Sequence, residues 1–171
     1  MRALVILVLV FQTLAATAAN LDLAVIQFPE PKTTEELESS LRGVNLFEMT
    51  NSNRTVVDAP YLKGGTVLFA QTLSPSVSFS SATRLGDNRA DVSGQLVNNL
   101  LSVEITLSEG VASGLRRFVS RTYKGSAPLP PGTPRVISLR VISGKTQSAS
   151  KGQASIKQTT TTNVIVAQLR P

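Results

Sequence analysis

Ser148 and Lys151 stand three residues apart in Ser148-Ala149-Ser150-Lys151. In the S-x-x-K spacing a lysine one helical turn beyond a serine can take its proton for acyl transfer. That chemistry needs the serine at a helix start. Here the four residues lie in a run rich in Ser, Gln and Lys, and no S-D-N or K-T-G partner accompanies them. The spacing is therefore read as coincidence. Glu48, Asp58, Asp87, Asp91 and Glu104 could in principle supply a carboxylate pair for hydrolysis. Glu104 falls at a polar position of an alternating strand, where a solvated charge is the ordinary reading. Asp87, Asn88 and Asp91 lack the spacing of a calcium loop, and Gly86-Asp87-Asn88 reads as a turn. The chain has no His and no Cys, which removes Ser-His-Asp hydrolysis, thiol catalysis and structural zinc together. The expectation is a protein that is not an enzyme, with no catalytic residues, no cofactor and no metal.

The charges are unevenly spread. The 11 Asp and Glu all lie at or before Glu109, and from Gly110 onward only Lys and Arg occur. Basic residues scattered on exposed faces explain this blandly; a surface that prefers anionic glycan or lipid head groups explains it more sharply. Nucleic acid is not expected, because no Trp and only 2 Tyr leave little on which bases could stack.

Residues 1–19 carry a different signal. Met1-Arg2 is followed by an apolar run from Ala3 to Leu14 and then Ala16-Thr17-Ala18. A charged start, a short apolar core and a small-x-small site make a cleaved signal peptide. The apolar run is short of the roughly 20 residues a spanning helix needs, and no later stretch matches it, so the mature chain should not cross a membrane. Export without disulfides points to a periplasmic or extracellular bacterial protein.

Residues 20–171 are then one domain, and their periodicity is that of strands. Leu21-Asp22-Leu23-Ala24-Val25-Ile26-Gln27-Phe28 starts the chain, and Pro29 and Pro31 end it. Thr33 followed by Glu36 fits a capping box, with Leu37, Leu41 and Val44 at helical spacing and Gly43 to close. Strand signals follow at residues 45–49, 55–58, 66–73, 77–79, 89–97 and 115–123. The clearest is Leu101-Ser102-Val103-Glu104-Ile105-Thr106-Leu107-Ser108, apolar at every odd position. Pro128-Leu129-Pro130-Pro131 is a stiff connector to what remains. These features predict an all-β antiparallel sandwich of about 8–10 strands, with one short N-terminal helix and a long C-terminal hairpin.

The register of that hairpin follows from its turn. A two-residue turn at Lys151-Gly152 pairs Ile137 with Val166, Leu139 with Val164 and Val141 with Thr162. Its base, Ile137, Leu139, Val141, Val164 and Val166, should pack with Val103, Ile105 and Leu107. Its tip, residues 143–162, is polar on both faces, and a two-stranded ribbon of that kind gains little by folding alone. The expected function is binding to, or assembly with, another envelope or surface component. The candidate contact residues are Lys145, Gln147, Lys151, Gln153 and Lys157. A variant places Leu21 to Phe28 on the sheet edge of a second subunit. The alternative is binding of anionic glycan or lipid head groups through the basic C-terminal half, separable by its dependence on salt.

Overall fold

A computed structural model describes residues 19–46, 62, 64–85, 88–111, 117–150 and 153–170. Two four-stranded antiparallel sheets and one short helix make up the described fold, an all-β sandwich. The strands are β1 (Asn20–Phe28), β2 (Thr66–Leu73), β3 (Ser78–Leu85), β4 (Asn88–Val97), β5 (Leu100–Val111), β6 (Arg117–Pro128), β7 (Arg135–Ser150) and β8 (Gln153–Arg170). The helix α1 spans Thr34–Leu41. The first sheet has the order β2-β1-β8-β7 and the second the order β3-β4-β5-β6. The predicted leader and the strand candidates at residues 47–49 and 55–58 lie outside the described residues. No helix among the described residues is long and apolar enough to cross a membrane.

Side-chain alternation sorts the residues into two cores. Leu101, Val103, Ile105 and Leu107 of β5 meet Leu21, Leu23 and Val25 of β1 and Ile165, Ala167 and Leu169 of β8 between the sheets. The intervening residues of the same two strands, Ala24, Ile26, Phe28, Val164 and Val166, face the other way. There they meet Leu37 and Leu41 of α1, with Val44, Leu46 and Leu62. Both faces of β1 and β8 are therefore covered, which is why these strands read as near-continuous apolar runs.

The helix forms as its local signals require. Glu36 N–H donates to Thr33 Oγ1 at 3.3 Å, and Thr33 N–H donates to Glu36 Oε2 at 3.1 Å. Gly43, at φ 77°, takes the left-handed conformation beyond the last turn. Replacing Thr33 with Ala is expected to cost about 1 kcal/mol, lowering the melting temperature by roughly 2–4 °C in a domain of this size. A melt unchanged within error would mean the cap contributes nothing.

The C-terminal hairpin pairs as counted outward from the turn, with one exception. Leu139 faces Val164 and Val141 faces Thr162, but Val136, not Ile137, faces Val166. The register shifts between Val136 and Ser138, a bulge that leaves Ile137 without a cross-strand partner. The predicted single base does not form. Ile137 joins Val103, Ile105 and Leu107 between the sheets. Val164, Val166 and the half-buried Leu139 pack under the helix, and Val141 is 47% exposed. Strict alternation cannot place an extra residue, and it assumed one buried face where the first sheet has two.

Candidate functional site

The β7–β8 hairpin leaves the sandwich where β1 ends. The last β1–β8 pair is Phe28 with Thr162, and beyond it β8 pairs only with β7, out to Ser150 with Gln153. At roughly 3.3 Å per residue, residues 142–150 make an arm about 30 Å long. It is a two-stranded ribbon with both lateral edges unpaired in the described structure. Its root is fixed: Thr162 is fully buried, its hydroxyl donates to Glu30 O at 2.9 Å and accepts from Lys32 N–H at 3.1 Å.

The register divides the candidate contact residues. Lys145 lies opposite Gln158 and Gln147 opposite Ile156, at positions of one face. Lys157 lies opposite Thr146 and Gln153 opposite Ser150, at positions of the other. Lys151 lies outside the described residues. The four described candidates thus occupy register positions on both faces of the ribbon. Ser148 is on strand β7, which does not supply the helix start that S-x-x-K chemistry requires.

The outer face of the second sheet carries Asp91 and Glu104. It is a ladder of small polar side chains, with Ser102 against Ser126, Thr106 against Thr122 and Ser108 against Ser120. An open depression of about 670 Å³ lies there, lined by Ser93, Gln95, Ser102, Glu104 and Lys124 among others. Glu104 here and Asp91 in the neighbouring depression are both engaged. Lys124 Nζ is 2.8 Å from Glu104, and Arg89 meets Asp91 through both Nε and an outer guanidinium nitrogen. The hydrogen bond to Asp91 raises the Arg89 pKa above its ordinary value. A pair of acids each held by a cation on an open polar face is a solvated surface, as read for Glu104.

Elsewhere on the body cations are also paired: Lys32 with Glu30, Arg135 with Glu38 and Arg170 with Asp22. Arg121 on β6 and Arg140 on β7 are exposed and have no ion-pair partner among the described residues. No local pattern singles them out, because pairing is a property of the fold. Tyr123 Oη and Asn163 Nδ2 are buried near them on the same strands or their direct neighbours and have no hydrogen-bond partner.

The fold therefore defines an antiparallel sandwich with a projecting hairpin. No family model matches the chain, and no curated protein matches it. Among solved structures it is similar to a cryo-EM structure of the type II secretion system secretin GspD of E. coli K12. That likeness has 14% identity and a TM-score of 0.32, covering 89% of this chain and 47% of the other. A second is the type II secretin GspD of enteropathogenic Escherichia coli, at 12% identity and a TM-score of 0.27, covering 88% of this chain and 65% of the other. The chain spans about half of the first of these and two thirds of the second. TM-scores this low do not establish a shared arrangement.

Proposed function

We propose that this is an exported, non-catalytic β-sandwich that binds or assembles with another cell-envelope or surface component, with the β7–β8 arm as its contact element. One observation carries the reading: beyond Thr162 no third strand among the described residues pairs with the arm. An isolated two-stranded ribbon is marginal in water, and its open N–H and C=O rows gain by pairing with an added strand. Export rests on the leader-like residues 1–19. Exchange of residues 21–28 between subunits is set aside, because β1 lies between β2 and β8 with both of its edges taken.

The buried hydroxyl of Thr162 dictates where the arm can be cut. Replacing residues 144–159 with Asn-Gly keeps the pair Ser143–Thr160 and everything below it. The shortened chain is expected to melt within a few degrees of the parent and to lose self-association or partner capture, read by light scattering after size exclusion and by crosslinking. Assembly that survives the deletion would refute the arm as contact element.

A second reading has its own observation. Unpaired Arg121 and Arg140 sit in a half of the chain without a carboxylate beyond Glu109, which supports binding of anionic glycan or lipid head groups through the basic C-terminal half.

A further inference from the structure

Two hairpins leave the 129–134 connector in the same sense, β6 running back from it toward β5 and β7 running forward from it. They are in close contact near the connector: a Cβ on Gly125 of β6 would lie 2.6 Å from Ser138 Cβ and 2.7 Å from Ile137 O of β7. One alternation further from the connector, on the inward faces, come Tyr123 and Arg140; one further still come Arg121 and Ile142. The cross-strand partners confirm the inward side. Tyr123 pairs with Ile105 and Arg121 with Leu107, both in the inter-sheet core. Arg140 pairs with Asn163, two residues before the core residue Ile165. Arg121, Arg140 and Ile142 are exposed at these inward positions, so this is the mouth of the sandwich.

The polar atoms at this mouth have one chemistry. Asn163 is 2% exposed and Tyr123 7% exposed. Asn163 Oδ1 accepts from Gln27 Nε2 at 3.1 Å, which leaves Nδ2 as an unsatisfied donor. Tyr123 Oη is likewise unsatisfied. A buried polar group without a partner costs free energy that a ligand can return. Arg121 and Arg140 add guanidinium groups with no carboxylate to hold them. Two arginines, an amide N–H and a hydroxyl form a donor set suited to an oxygen-rich anion. On the same inward faces, Val119 is 43% and Ile142 39% exposed. Apolar side chains beside cations suit the boundary of a bilayer better than a hydrated polysaccharide.

We propose that the inter-sheet mouth formed by Tyr123, Asn163, Arg121 and Arg140 binds the phosphate of an anionic lipid headgroup, with Val119 and Ile142 entering the lipid boundary. This rests on the second reading above, and it assigns that reading a site and a ligand. It is independent of arm-mediated assembly.

The test is co-sedimentation of the purified chain with phosphatidylglycerol-containing vesicles, with phosphatidylcholine vesicles and with soluble polygalacturonate as comparators. Binding to the anionic vesicles is expected, falling with added salt. The double variant R121Q/R140Q should weaken it on the order of 30-fold, at about fivefold per cation near the surface. Tyr123→Phe removes only an unpartnered hydroxyl. It should leave the melting temperature of the free protein unchanged or raised while weakening binding about tenfold. Equal binding to neutral vesicles would overturn the proposal, and so would polygalacturonate binding without vesicle binding. Salt-sensitive vesicle binding that ignores all three substitutions would overturn the mouth as the site and leave the basic half as a diffuse surface. No binding to any anion would remove both, with arm-dependent assembly still to be judged by the deletion.

Discussion

Gly125→Val is expected to cost about 3 kcal/mol of stability, the upper range for overpacking a well-filled interior. Most of that would come from a collision with backbone. The added Cβ would stand 2.7 Å from Ile137 O and 2.6 Å from Ser138 Cβ. Real Cβ atoms do not approach so closely, so either β6 or β7 must move, and both are tied into ladders on their other sides. The bulge at Ile137 also sits at this contact, so movement of β7 would disturb the point where its register shifts. Urea unfolding should show a lower midpoint at unchanged slope, since the surface exposed on unfolding is the same. Combining the change with Ser138→Gly removes one of the two collisions, and the pair should be non-additive by at least about 0.5 kcal/mol. Gly132 makes the contrast: nothing lies within 4 Å of a Cβ there, and only its φ of 79° opposes substitution. Gly132→Ala should cost about 1 kcal/mol. A Gly125 variant as mild as that one would show that the sheets are not pressed together at this corner.

The parts of this fold legible in the sequence are those set by local chemistry. The capping box at Thr33 and Glu36, the strand at Thr66–Leu73, the alternation from Leu101 to Leu107 and the Lys151-Gly152 centring of the last hairpin all depend on residues near one another in the chain. What could not be read depends on packing. The helix covers the outer side of the first sheet, so residues 164 and 166 are core on a face that alternation would assign to solvent. The bulge at Ile137 adds a residue that no period contains. Asn98-Asn99, with φ values of 51° and 61°, makes the tight β4–β5 turn, a conformation Asn tolerates well among non-glycine residues; an Asn-Asn pair between two strand signals could have been recognised. The five candidates on the arm were chosen for polarity alone, and the ribbon register separates the four described ones onto two faces. The mouth residues gave no local signal. Tyr123 and Arg121 lie two residues apart in a segment that reads only as a strand. Their parity places both inward, and where the second sheet is no longer covered an inward arginine still reaches water.

Asp22→Ala is expected to cost about 2–3 kcal/mol, and the route by which it does so can be isolated. Asp22 is fully buried near the start of β1's outward row. Its Oδ1 accepts from Thr72 Oγ1 at 2.6 Å on β2, and its Oδ2 accepts from Arg170 Nε at 2.5 Å on β8. One carboxylate thus joins three neighbouring strands, at the end of the sheet remote from the arm. Breaking a buried ion pair on one side commonly costs about 3–5 kcal/mol, because the remaining charge is stranded. Arg170 retains 26% of its side-chain exposure, so it can recover water contact, and the cost should fall below that range. Asp22→Asn preserves an acceptor for Thr72 while removing the charge, and should cost about 1–2 kcal/mol. Replacing both partners by leucine removes the stranded charge altogether, and D22L/R170L should lie closer to the parent than either single change. The loss in Asp22→Ala should also be nearly insensitive to salt, unlike an exposed pair. Since the end of β8 that Asp22 anchors is far from the mouth, vesicle binding by the folded variant should match the parent. A double change no better than the singles would mean that packing, and not the charge on Arg170, sets the cost at this position.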